Sequence, residues 1–300
     1  MARKTIIVLL VGLTLVLGRF AEAQQSDIFA SGGTLVVAVP SRDGLIIAAD
    51  SRLDVVGTAV HCDDQFKIIE PIRAARIAAS VVGNVVFFAP PGPDESDFCK
   101  NVKRARRLLD VPELASHYLE TETVDVSTSR MEEFALQCVA AVQKLHAYSP
   151  LTLKPFAGRA LFSVILMAYD PKTRTAIIRE FFVQLSDEIK PEIGKITVRT
   201  FSFESKREMF LFGASNYFRN HVIGGIGRKF LSQETIGFIR QDTTIGKTDF
   251  RPALSSAMNV IDATSKTTAL VPPPGGIGGT IDVLLLGNEP RPRRVKWKSR

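Results

Sequence analysis

Three hundred residues, 45% of them hydrophobic and 23% charged, leave ample chain for one large domain with a buried core. The formal net charge of +7 comes with no nucleic-acid-binding motif, so nucleic acid is not an expected partner. Three cysteines without a CxxC pair and four scattered histidines without an HExxH pair argue against a metal centre, and no cofactor is expected.

Residues 1–23 read as a secretory signal peptide: Arg3-Lys4, an apolar run over 6–17, then Ala21-Glu22-Ala23 as a small-x-small cleavage site. The run is shorter than the roughly 20 apolar residues of a membrane span. An uncleaved anchor is the competing reading; cleavage implies a secreted or periplasmic protein with no stable membrane span. Residues 24–33 then form a short propeptide or leader, 34–288 the folded domain, and 289–300 a basic tail.

Two apolar runs, 34–39 and 45–50, flank a segment over 40–44 whose Asp43-Gly44 pair is a turn signal. A hairpin closed there sets Val39 opposite Leu45 and Thr34 opposite Asp50. Residues opposed in this way share a face, with Cβ atoms about 5 Å apart. Both strands are apolar on both faces, which predicts a buried central hairpin. A threonine and an aspartate at its open end need partners. Lys67, inside the strand-like run 65–69, is either a snorkelling surface lysine or the charge partner of Asp50. His61 and Cys62 are adjacent, so on a strand they point to opposite faces and make no Cys/His pair. Cys62, Cys99 and Cys138 allow one disulfide after export and leave one thiol; the pairing stays open.

The Pro-rich piece 89–93 breaks helix continuity. A helix is expected from 94–96 through Leu109, with Lys103, Arg104, Arg106 and Arg107 on a solvated side. A second starts near Pro112, and a third spans 131–147, with Phe134, Val139, Val142 and Leu145 at near-helical spacing. Strands are expected over 161–168 and 175–182, and an edge strand over 195–203. The glycines of 224–227 lack the preceding strand and downstream acid of a dinucleotide loop, and read as a turn. Residues 255–265 read as a helix and 281–286 as a buried strand. The basic end around Trp297 is either a solvated tail or a contact for an acidic surface or a partner subunit. Strands, helices, strands, helices, strand: that order fits an α+β fold, a four-layer αββα sandwich of two antiparallel sheets.

Several segments in this order resemble the proteasome β-type subunits of the N-terminal-nucleophile (Ntn) hydrolase family, in an exported and divergent form. They are Gly33-Thr34, then Asp43-Gly44-Leu45-Ile46-Ile47-Ala48-Ala49-Asp50-Ser51-Arg52, then Lys67, and Ala78-Ala79-Ser80-Val81-Val82-Gly83. Residues 161–170 with Pro171, Phe210-Leu211-Phe212-Gly213 and Gly278-Gly279-Thr280-Ile281-Asp282-Val283 continue it, so the resemblance runs from about Thr34 to Gly287. The resemblance implies a hydrolase of the threonine-protease type that processes itself at Gly33-Thr34 and acts on a peptide or amide substrate. Thr34 Oγ would be the nucleophile and its freed α-amine, with a pKa near 7.7–8.0, the general base. Lys67 would hold positive charge at the hydroxyl, Asp50 would orient Lys67, and the Gly83 N–H would complete the oxyanion hole. Val81 and Val85 would form an apolar substrate-binding wall, and a homo-oligomer is implied. Loss of Lys67 or Asp50 would abolish processing.

Three positions depart from the family pattern. Ala214 stands where a serine follows the glycine, with Ser215 one place late; Ile277 stands where a serine precedes the last Gly-Gly; and no aspartate precedes it, the nearest acid, Asp262, lying several residues upstream. The alternative function is therefore a catalytically degenerate member of the fold, acting as a binding or scaffold protein.

Overall fold

The computed structural model describes residues 29–55, 61–63, 65, 67–70, 76–89, 99, 106–121, 128–202, 204–240, 243–272, 276–289 and 293–297. The expected signal peptide, the first part of the leader, and the start of the helix expected from 94–96 lie outside the described residues.

Sixteen strands are described. The first nine are β1 (Phe29–Gly32), β2 (Leu35–Ser41), β3 (Gly44–Asp50), β4 (Leu53–Val55), β5 (His61–Cys62), β6 (Ile68–Ile69), β7 (Ile77–Gly83), β8 (Val86–Phe88) and β9 (Arg107–Asp110). Helices α1 (Val111–Thr121) and α2 (Thr128–Tyr148) follow, with one turn of helix, α3 (Pro150–Leu153). Then come β10 (Ala160–Asp170), β11 (Thr175–Leu185), β12 (Pro191–Ile193), β13 (Thr197–Phe201) and β14 (Phe210–Gly213). Helices α4 (Ser215–Tyr217), α5 (Gln233–Arg240) and α6 (Phe250–Thr268) precede β15 (Ile281–Gly287) and β16 (Arg293–Trp297).

The expected hairpin is β2 and β3, both fully buried. Its register differs by one residue from the sequence reading. Pro40 lies opposite Leu45 and Ser41 opposite Gly44, so the turn is only Arg42-Asp43, and Leu35 rather than Thr34 falls level with Asp50. The strand runs through Pro40 because its other neighbour, β14, stops pairing at Ala38. The missing proline N–H is therefore not needed there. Ser41 Oγ also donates to the Gly44 carbonyl at 3.0 Å and closes the turn.

The architecture is α+β with three antiparallel sheets where two were expected. One sheet runs β14-β2-β3-β15-β16, a second β12-β11-β10-β7-β6 with β13 also on β11, and a third β5-β4-β1-β8-β9. The third was hidden in two misread segments. Phe29–Gly32, inside the expected leader, pairs with both β4 and β8. Arg107–Asp110, expected as the end of a helix, pairs with β8 instead. Asp110 explains the switch: its Oδ1 accepts the Glu113 N–H at 3.0 Å, so a new helix is capped there. Arg293–Trp297, read as part of the tail, is an edge strand on β15.

The first two sheets share an apolar layer that includes Val36, Ala38 and Ile47 from one and Ala78, Ile165 and Ile178 from the other. The far face of the second sheet packs with Phe134, Val142 and Leu119 of α1 and α2. The far face of the first packs with Phe238 of α5 and Ala257, Val260 and Ile261 of α6. Strand alternation sorts the residues: on β7, Ala78 and Val82 join the inner layer, while Ala79 and Val81 join the layer beneath the helices.

Candidate functional site

Gly33 and Thr34 are the two residues between β1 and β2, where the chain leaves the third sheet and enters the first. Thr34 is buried, and its Oγ1 donates to the Gly33 carbonyl at 2.5 Å. Lys67 Nζ donates to that same carbonyl oxygen at 2.5 Å and also to the Arg52 carbonyl. Asp50, fully buried, stands 3.6 Å from Lys67 Nζ. The three sequence-selected side chains therefore do meet, but through Lys67 and a main-chain carbonyl rather than face to face across the hairpin.

Asp50 is also the acceptor for a local backbone network. Its Oδ1 takes the Leu35 N–H at 2.9 Å, and its Oδ2 takes those of Gly278 at 3.2 Å and Arg52 at 3.3 Å. Burial raises its pKa, opposed by the Lys67 charge and by these three N–H groups. Burial lowers the pKa of Lys67, opposed by the charges of Asp50 and Asp54. Ser80 Oγ donates to the Lys67 carbonyl at 2.7 Å and fixes its backbone.

The 276–280 loop closes over this network. Gly276 N–H donates to Asp54, Thr280 N–H to Ser51 Oγ at 2.8 Å, and the Gly278 carbonyl accepts from Ser51 and Arg52. Arg52 is held from outside by a bidentate pair with Asp63, whose carboxyl it keeps below the usual range. Ala214 and Ile277 line the space beside Thr34, and Asp262 is tied to Lys266 on α6 at 2.8 Å. Ser215, one place after Ala214, is a hydroxyl in the lining of the same space.

A cavity of about 630 Å³ opens beside Thr34 between the two facing sheets. Gly83 lines it, and its φ of +103° together with the β10 backbone explains the glycine: a Cβ would lie 2.7 Å from the Leu161 carbonyl oxygen. Gly213 is needed for a similar reason, since a Cβ there would lie 2.0 Å from the Thr34 carbonyl oxygen. Val81 and Val85 correct the sequence reading. Both are buried in the layer under α1 and α2, and Val82, one step along the strand, lines the cavity instead. The sequence reading also missed Ser163, Glu180, Phe182 and Phe210 in the lining. Alternation along β11 carries the signal for Glu180: Ala176 and Ile178 on the same face are buried in the inner layer, and Glu180 comes next.

Among the described residues no group of three His, Cys, Asp or Glu side chains stands together to hold a metal ion. Cys62 and Cys99 form a disulfide, which answers the pairing question, and Cys138 is a buried thiol. No helix among the described residues is long and apolar enough to cross a membrane.

No family model and no curated protein matches the sequence. Solved structures similar to it include Anbu (ancestral beta-subunit) from Yersinia bercovieri, at 14% identity over 87% of this chain and 86% of that chain, with a TM-score of 0.43. The helical assembly of the Anbu complex from Pseudomonas aeruginosa matches at 12% identity over 88% and 87%, with a TM-score of 0.47. Anbu from Hyphomicrobium sp. strain MC1 matches at 14% identity over 87% of each chain, with a TM-score of 0.42. At these values the matches assign neither family nor activity to this chain. The resemblance drawn from the sequence is corrected accordingly: the similar solved structures are described as Anbu, one of them as an ancestral beta-subunit, and at 12–14% identity they do not make this chain a proteasome β-type subunit. The Thr34 surroundings explain how the motifs misled. The short Gly-Thr and Asp-Ser-Arg signatures are reproduced, while Ala214 and Ile277 stand where the pattern has serines and its aspartate has no counterpart before Gly278-Gly279.

Proposed function

We propose that this chain is a binding protein whose inter-sheet cavity takes a peptide or other amide ligand, and whose Thr34-Lys67-Asp50 cluster holds the cavity wall together. The observation that carries the reading is the position of β1. It ends two residues before Thr34, is paired on both sides, and is followed by a carbonyl that accepts from Lys67. Freeing the threonine amine would cut the chain where it joins two sheets. The apolar Ala214 and Ile277 beside Thr34 support the same reading, since they cannot assist a nucleophile or an amine. In this proposal the three packed apolar layers form a four-layer αββα sandwich with the third sheet on its flank. The Cys62–Cys99 disulfide supports export to an oxidising compartment by residues 1–23. A homo-oligomer belongs to the same proposal and is read out by light scattering.

One observation favours a second reading, amide or peptide hydrolysis by Thr34 as an N-terminal nucleophile. Thr34 Oγ1 and Lys67 Nζ both sit on the Gly33 carbonyl, the group an attacking hydroxyl would have to reach. Thr34 would then be the nucleophile, Lys67 and Asp50 its electrostatic support, and Gly83 the oxyanion donor. Incubation with a mixture of short peptides, followed by mass spectrometry, tests the choice. The binding reading expects retained peptides to be recovered intact from wild type and from Thr34→Ala alike. Cleavage products formed by wild type and absent with Thr34→Ala would overturn it in favour of hydrolysis.

A further inference from the structure

The lining of the cavity carries information about its ligand. Ser163 and Glu180 lie on the inner faces of β10 and β11, in line with Ile165 and Ile178, which are buried in the apolar layer between the sheets. At the cavity end this layer turns polar. Ser163 is buried, and its hydroxyl donates to Glu180 Oε1 at 3.1 Å. Glu180 is half-buried; no cation lies within ion-pair distance of it, and no donor contacts its Oε2 among the described residues. Burial holds its carboxyl above the usual range, partly offset by Ser163 and by the charge of Arg199.

The other charges in the lining, Arg199, Glu208 and Arg219, are exposed at the rim. The Arg199 guanidinium is placed over the Phe210 ring, 5.2 Å from its centroid. The least exposed charge of the lining is therefore negative and not neutralised by an ion pair, and Phe182, Phe210 and Phe212 belong to the same lining. A half-buried carboxylate without an ion-pair partner gains from a ligand that brings its own cation. An anionic ligand, drawn to the rim by Arg199 and Arg219, would be opposed by Glu180 further in.

We infer that the cavity selects ligands carrying a primary ammonium or guanidinium group on a short apolar stem, with Glu180 as the charge-recognising residue. This rests on the binding reading of the cavity. The test is calorimetric titration of the full chain with three probes of one shape: 3-phenylpropylamine, 3-phenylpropanol and 3-phenylpropionate. The amine is expected to bind at least tenfold more tightly than the other two. Glu180→Gln, which keeps an acceptor for Ser163, is expected to erase that preference, while Glu188→Gln, exposed beyond the end of β11 and outside the lining, changes it by less than twofold. Circular dichroism confirms that each variant is folded. Equal binding of amine and alcohol, or an unchanged preference in Glu180→Gln, would overturn the charge assignment and leave the cavity as a binding site. Failure of all three probes to bind would overturn the binding reading of the cavity as well.

Discussion

Replacing Lys67 with methionine isolates what the buried pair contributes. The side chain keeps an unbranched apolar stem but loses the ammonium group that serves Asp50 and the carbonyls of Gly33 and Arg52. Asp50 is then a fully buried carboxylate with three N–H donors and no cation. Removing one partner of a buried ion pair costs about 3–5 kcal/mol. The three N–H donors compensate part of this, so the lower end, about 3 kcal/mol, is expected against a total stability of about 5–15 kcal/mol. Urea unfolding followed by circular dichroism measures it by linear extrapolation. The deficit should also depend on pH with a definite sign. In the variant, the Asp50 pKa is raised further by loss of the cation, so the folded state binds more protons than the unfolded state between the two pKa values. Stability of the variant is therefore lost as pH rises from about 4, and its deficit against wild type is smaller at pH 5 than at pH 8. Adding Asp50→Asn should recover part of the loss, with a coupling of about 1–3 kcal/mol. A loss under about 1 kcal/mol with no pH dependence would refute a dry, paired Lys67-Asp50 contact.

Burial pushes the Cys138 thiol up to about 12. Iodoacetamide at pH 8 should leave the native protein unlabelled and modify one cysteine in urea without reductant, as mass spectrometry will show. The disulfide closes a loop with a sequence separation of 37, so replacing Cys62 and Cys99 together by serine should lower stability by about 4 kcal/mol in the chain-entropy limit. Gly213→Ala should destabilise by more than about 1 kcal/mol, because its φ of +77° is unfavourable and the new methyl meets the Thr34 carbonyl. A neutral result in thermal unfolding would mean that β14 can shift away from Thr34 without loss.

Much of the frame is legible in the residues themselves. The 131–147 helix, the strands around 161–168, 175–182 and 281–286, and the buried hairpin all fall where apolar periodicity puts them. The hairpin register is not legible, because Pro40 looks like the start of a turn and becomes harmless only where β14 stops pairing. Arg107–Asp110 is not legible either: two leucines among arginines suit either period, and only the pairing with β8 decides. At the site, the charge complementarity of Lys67 and Asp50 is readable, but the Gly33 carbonyl that brings Thr34 and Lys67 together is main chain and leaves no mark in the sequence. Val81 and Val82 differ only in which way the strand turns them. A one-residue choice of face decided which of the two lines the cavity.

In the binding reading Thr34 stays inside the chain. Intact mass and N-terminal sequencing of the purified protein, repeated over several days at neutral pH, test it most directly. An N-terminus upstream of Phe29, at Gln24 if residues 1–23 are removed, and unchanged with time, is the predicted result. An N-terminus at Thr34 would contradict the account and make the protein a hydrolase to be assayed as one.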